Sequence, residues 1–404
     1  MVNQYAMKLW KYLNICTLIP PLLPSSSVFK FISFSFHSTE TPAKQRMLII
    51  DTDAGFDDFV AMAALINDSH LSDTQSSFVS LGEDATISLC TPTSTSSTSN
   101  TRKHCNSKIG FISTVTGMQE YPSRSKQFFE TNFPTSMVSV GRDVPCCITK
   151  PKMDWLIDYR AVLDAFLDDN VGHDDSHSNK NNEQSEEKST TSNLNKNIES
   201  FLATQPNGSV DLMCIGPLTN VANWVTSPTT SSLLESKIRS VWIMGGNIPI
   251  STQSTSITTN NINPEFNFLE DPNSANVVLS SSVFTDKIFL VPKETCSDIP
   301  LDDETYVKIR QTSQSKGEGM ISKVLQINDR TDPLRYDPLC TFAYLHPDMI
   351  ELKPIDVNVD PKTGLVHLSD DRHVSQTIKF VTFVERFGKK GYLQWLLDLV
   401  ENEK

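Results

Sequence analysis

The chain has 404 residues, 38% of them hydrophobic, enough for a large single domain or two ordinary ones with a substantial core. A net charge of -13, a pI near 5.1 and no clustered Lys and Arg argue against a nucleic-acid surface and favour a small ligand. Eight cysteines, scattered without CxxC pairs or metal-ligand spacing, fit reduced thiols in a cytoplasmic protein better than a disulfide framework.

The first 45 residues combine Lys8, Lys11 and Lys30 with apolar runs and contain no acid before Glu40. A secretory signal is interrupted by Pro20, Pro21 and Pro24; an organelle transit segment and a disordered extension are the alternatives. No later stretch is long and apolar enough to span a membrane. The predicted globular body is therefore 46–404. Within it, 69–107 and 172–197 are too polar to offset the entropy of ordering and read as disordered insertions, which leaves His173 and His177 solvated.

Between the insertions, short apolar runs at Met47–Asp51, Lys108–Thr114, Met137–Gly141, Val210–Gly216, Ser240–Gly245 and Lys287–Pro292 predict buried strands. Helical patterns follow most of them. Asp57–Ile66 places Phe59, Met62, Ala63 and Ile66 on one face, Leu218–Val225 repeats the pattern, and Pro272–Leu279 has Asp271 as its N-cap. Strand-then-helix alternation predicts an α/β fold with a doubly wound, mostly parallel, Rossmann-like sheet, helices on both faces and a helical C-terminal part. There, Tyr392, Trp395, Leu396 and Leu399 read as core packing. Ligands of such sheets bind beyond the carboxyl ends of the strands.

The segment Asp51-Thr52-Asp53-Ala54-Gly55-Phe56-Asp57-Asp58 puts four carboxylates at the carboxyl end of one predicted strand and the start of a helix. Each like charge disfavours ionisation of the others, so the group calls for a hard divalent cation. Asp57 and Asp58 also suit a helix start, which is the competing structural reading.

DTDAGFDD resembles the signature of the calcium-dependent nucleoside hydrolases, the inosine-uridine-preferring family. The resemblance extends through Ile215-Gly216-Pro217-Leu218-Thr219-Asn220, Ile243-Met244-Gly245-Gly246, Glu265-Phe266-Asn267 with Asp271-Pro272, and Asp337-Pro338-Leu339. It implies Ca2+ held by Asp53, Asp58, Asp337 and the Ile215 carbonyl, with Asp53 also the base that deprotonates the attacking water. It further implies that Asp57, Glu265 and Asn267 hydrogen-bond the ribose of a ribonucleoside substrate, that Met244 lies against the sugar, and that the assembly is a homo-oligomer. Cleavage of an N-glycosidic bond passes through a ribosyl cation, so the site must fix the sugar and deliver water to the opposite face.

The residues have plainer readings as well: an Asx turn for Asn267, a solvated loop acid for Glu265, core for Met244, a turn for Asp337. Departures from the pattern are Met118 in place of an Asn, Tyr336 in place of a His that would protonate the leaving base, Asn260 and Asn261 displaced by about one position, and a shortened loop across 141–163. They motivate a second reading, a catalytically impaired relative that binds nucleoside or ribose without turnover. A third, an aspartyl-phosphate hydrolase built on Asp51-Thr52-Asp53 with magnesium, leaves Asp57 and Asp58 unexplained.

Overall fold

The structure is a computed structural model. It describes residues 46–71, 107–116, 122–143, 183–248, 264–299, 303–316, 319–327, 334–368, 376–383 and 388–403. Six predicted strands are present as β1 (Arg46–Thr52), β2 (Ser107–Thr116), β3 (Met137–Asp143), β4 (Val210–Cys214), β5 (Ile238–Met244) and β6 (Ile288–Val291). Helices among them are α1 (Phe56–Leu71), α2 (Pro122–Asn132), α3 (Glu183–Ala203), α4 (Thr219–Thr226), α5 (Pro228–Lys237), α6 (Phe266–Glu270) and α7 (Pro272–Leu279). After β6 come α8 (Lys293–Ser297), α9 (Asp303–Lys316), α10 (Met320–Ile327), α11 (Asp337–Leu345), β7 (Ile350–Val359), β8 (Val366–Leu368), β9 (Gln376–Phe383) and α12 (Gly388–Asn402).

The sheet order is β3-β2-β1-β4-β5-β6-β9-β7-β8. Strands β1 to β6 and β9 pair in parallel, and β7 runs antiparallel to β8 and β9. The chain winds outward from β1 through β2 to β3 and then returns to the other flank of β1 as β4. That reversal is the topological switch point where open α/β sheets leave a crevice for a ligand. Ile215 N donates to Asp51 O at 2.8 Å, so the chain leaving β4 stays tied to β1 up to the crevice.

Two apolar layers sandwich the sheet. One contains α1 and α10 to α12; the other contains α3, α4 and α7. Helix α1 differs from its predicted one-sided pattern: Phe59 through Ala64 are all buried, because α10, α11 and α12 pack around it. A helix apolar all round belongs inside, and its burial fixes the end that carries Asp57 and Asp58.

Two expectations change. The second predicted insertion is helical from Glu183 onward, since Leu194, Ile198, Phe201 and Leu202 supply a buried stripe that begins only after a polar run. The C-terminal part is helical as expected but also adds three strands, β7 to β9. Residues 1–45, 72–106 and 144–182, which hold the N-terminal extension, most of the first insertion, and both His173 and His177, lie outside the described residues. Among the described residues, no helix is long and apolar enough to cross a membrane.

Candidate functional site

The turn between β1 and α1 is built by its own polar groups. Ala54 adopts a left-handed φ of 59°, and its N–H donates to Thr52 Oγ1 at 2.9 Å. Gly55 N then donates to Asp53 Oδ1 at 3.1 Å and to Asp58 Oδ2 at 2.9 Å. The backbone of Gly55 thus lies among three carboxylates, and a Cβ there would meet Asp58 Oδ2 at 2.9 Å, Asp57 Oδ1 at 3.1 Å and Asp53 Oδ1 at 3.2 Å. Glycine is needed here for space, not for φ.

Asp58 is the hub of the cluster. Its carboxyl accepts from Thr52 Oγ1 and Gly55 N and hydrogen-bonds with Asp53 and Asp337. Asp337 arrives from far downstream in the chain at the first position of α11, where Pro338 follows and the helix N-terminus favours an acid. Carboxylate oxygens of Asp57, Asp58 and Asp337 all lie within 4.8 Å of one another, which makes this trio a group that could hold a metal ion. The segment after Ile215 packs closely against the same turn: a Cβ on Gly216 would stand 2.7 Å from Asp53 N.

Asp53, Asp58 and Asp337 are buried and Asp57 is half-buried. Burial pushes the carboxyl groups of Asp58 and Asp337 well above the usual carboxylate range, and the neighbouring aspartates push them further. Burial also raises Asp53, against the hydrogen bonds from Asp58 and Gly55. All-oxygen donors in this number match a hard divalent ion such as calcium or magnesium, and lack the sulfur or imidazole that zinc sites use. The residues fit a metal.

Asp51, the remaining acid of the motif, points elsewhere. Its Oδ1 accepts from Ser113 Oγ at 2.6 Å and Asn220 Nδ2 at 2.9 Å, and burial, opposed by those two bonds, brings its carboxyl to about 7. It therefore joins β1 to β2 and α4. Thr219 Oγ1 extends the tie to Asp271 Oδ2 at 2.6 Å, while Asp271 caps α7 through Ser274 N at 3.0 Å, as its position before Pro272 predicts.

Met244, Glu265 and Asn267 form a second cluster at the end of β5. Asn267 Nδ2 donates to Met244 O at 3.3 Å, with Met244 Sδ 3.7 Å away. Glu265 is neither solvated nor idle. It caps the short helix α6 by accepting from Asn267 N at 2.8 Å and Phe268 N at 3.2 Å, and it accepts from Gly246 N at 2.9 Å. Cys296 on α8 is buried, and burial, then the proximity of Cys340, Glu265, Asp57 and Glu294, raise its thiol well above the usual range. Sequence reasoning passed over Cys296 because a lone cysteine after a strand carries no pattern. Tyr336 is half-buried at the N-cap of α11, directly before Asp337, and its carbonyl accepts from Leu339 N and Cys340 N. Met118, Asn260 and Asn261 lie outside the described residues.

Burial of Glu265 outweighs its three backbone donors and the nearby Lys293, raising its carboxyl from 4.5 to about 7. The folded chain therefore takes up a proton that the unfolded chain releases between those values. The stabilising contribution is complete below about pH 4.5 and is lost as pH rises through 7, about 3 kcal/mol in all. Urea unfolding across this window should give a shallower decline for Glu265→Gln than for the unsubstituted chain. Parallel curves would refute the assignment.

The sequence matches the model of the family described as inosine-uridine preferring nucleoside hydrolase over residues 100–392. That span includes Ile215, Met244, Glu265, Asn267 and Asp337, and begins after the aspartate turn. No curated protein matches. Among solved structures, an inosine-uridine preferring nucleoside hydrolase from Bacillus anthracis is similar with a TM-score of 0.56 at 15% identity, covering 89% of this chain and 100% of that one. A plant nucleoside hydrolase gives 0.56 at 16%, with 88% and 99% covered. An inosine-guanosine nucleoside hydrolase gives 0.54 at 18%, with 88% and 99% covered. At these identities the likeness is one of fold.

Proposed function

The chain belongs to the inosine-uridine preferring nucleoside hydrolase family, a family of nucleosidases, and from that premise we propose that it hydrolyses ribonucleosides to free base and ribose in a calcium-dependent reaction. The observation that carries the proposal is the meeting of the Asp57, Asp58 and Asp337 oxygens beside Asp53 at the crevice between β1 and β4. Asp53, Asp58, Asp337 and the carbonyl of Ile215 would hold the ion. When bound, calcium supplies positive charge that neutralises the acids and makes a neighbouring water more acidic.

Asp53 takes the proton of the attacking water as the water oxygen bonds to C1′ of the ribose and the C1′–N bond breaks. Asp57, Asn267 and the one lone pair of Glu265 not taken by backbone donors hydrogen-bond the sugar hydroxyls, and Met244 packs on the ring. These contacts orient C1′ toward the water, and carboxylates around the sugar favour the positive charge it develops. Tyr336 gives the proton that the departing base requires; its reference pKa near 10 makes it a weaker acid than imidazolium. Buried, unbridged Cys214, Cys296 and Cys340 support the cytoplasmic placement that is part of this reading.

The test is release of free ribose from a panel of purine and pyrimidine nucleosides by the full chain, with calcium and with a chelator. The expected result is release with calcium and none with chelator, and the panel gives the base preference. Tight calcium and nucleoside binding with no ribose from any nucleoside would instead establish the impaired binding relative that Met118 and Tyr336 motivate.

A further inference from the structure

By its apolar spacing, Tyr392 is packing, and its ring behaves so. It is fully buried on α12, with ring centroids 5.2 Å from Phe342 and 5.7 Å from Trp395. Its hydroxyl does something a phenylalanine could not. It donates to the carbonyl oxygen of Leu334 at 2.6 Å. A buried hydroxyl is costly unless it is bonded, so a tyrosine kept here for packing alone would be a poor choice.

Leu334 is buried and begins the short lead-in Leu334-Arg335-Tyr336 that ends at Asp337. At the far end of that lead-in, the carbonyl of Tyr336 receives the first-turn N–H groups of α11 at 3.1 and 3.2 Å. The lead-in is therefore pinned at both ends, by α11 itself and by the hydroxyl of Tyr392. Its path sets where Asp337 enters the acid cluster and where Tyr336 stands. Burial and the proximity of Cys296, Asp337 and Asp57 hold the Tyr392 hydroxyl well above its ordinary range, which keeps it a donor.

We propose that Tyr392 is a positioning residue of the metal site: through its bond to the Leu334 carbonyl, the C-terminal helix fixes Asp337 at the distance from Asp57 and Asp58 that a cation requires. The inference rests on the calcium reading given above. Partners that orient ligands from outside the coordination shell are worth about 10- to 100-fold in metal affinity.

Tyr392→Phe keeps the ring and removes only the hydroxyl. Calcium titration by calorimetry should show affinity weakened about tenfold, while the melting temperature in chelator falls no further than in the packing control, since the change leaves one buried carbonyl unbonded. Trp395→Phe, in the same aromatic cluster, is the packing control. It should lower the chelator melting temperature and leave calcium affinity unchanged. Tyr392→Phe binding calcium as tightly as the unsubstituted chain overturns the inference, as does an equal loss of affinity in Trp395→Phe. An unsubstituted chain that binds no calcium sinks the metal reading itself, an outcome distinct from both.

Discussion

Asp53→Asn is expected to lower kcat for ribose release by about 10^3- to 10^4-fold without unfolding the chain. The substitution is nearly isosteric, and an amide oxygen can still accept the Gly55 N–H that Asp53 Oδ1 accepts at 3.1 Å. What it removes is the ability to take a proton from water and one negative charge at the cluster. Because the Asp58 and Asp337 carboxyls are raised partly by the Asp53 charge, its removal relieves them. Melting temperature in chelator should therefore hold or rise while kcat collapses and calcium binding weakens. That combination separates a catalytic acid cluster from a helix cap, whose loss would cost about 1 kcal/mol of stability and little activity. Activity within tenfold of the unsubstituted chain would remove Asp53 from the mechanism.

How much of this was legible beforehand depended on where the signal lay along the chain. The β1 run and the acid-rich turn are contiguous, so both the strand and the cluster could be read from eleven adjacent residues, Leu48 to Asp58. Asp337 needed a family resemblance, because only the sheet winding brings α11 to the end of β1. Strands β7 to β9 were not legible: β7 carries Glu351, Lys353 and Pro354 in an interrupted burial pattern, as antiparallel strands near a sheet edge often do. Helix α3 was hidden by its polar first half. Glu265 shows a subtler limit. Its residue type suggested either a sugar ligand or a solvated acid, whereas its three backbone donors make it the clamp between Gly246 and α6. Tyr392 is the same case in reverse, since spacing reports a ring's burial and says nothing of where its hydroxyl goes.

Gly55→Ala tests the geometry of the cluster without deleting any of its acids, and it should reduce kcat about 100-fold. The added Cβ would approach Asp58 Oδ2, Asp57 Oδ1 and Asp53 Oδ1 within 2.9 to 3.2 Å. Those oxygens are the ends of side chains and can retreat by a few tenths of an ångström, so the fold absorbs the methyl. Gly55 is not among the glycines with positive φ, so alanine meets no backbone penalty, and stability should change by no more than about 1 kcal/mol. The displaced oxygens are the ones proposed to hold the ion and the ribose, and a small misplacement there is expensive in rate. Ala54→Gly, one residue earlier, is the natural contrast. It relieves the left-handed φ of 59°, a strain of about 1 kcal/mol, and adds nothing near the carboxylates. Loss of the buried Ala54 methyl and the greater freedom of glycine in the unfolded chain offset that relief, so the melting temperature should change little and kcat should be kept. If Gly55→Ala keeps full turnover and calcium affinity, the carboxylates that surround Gly55 are not the reacting centre, however well they fit a cation.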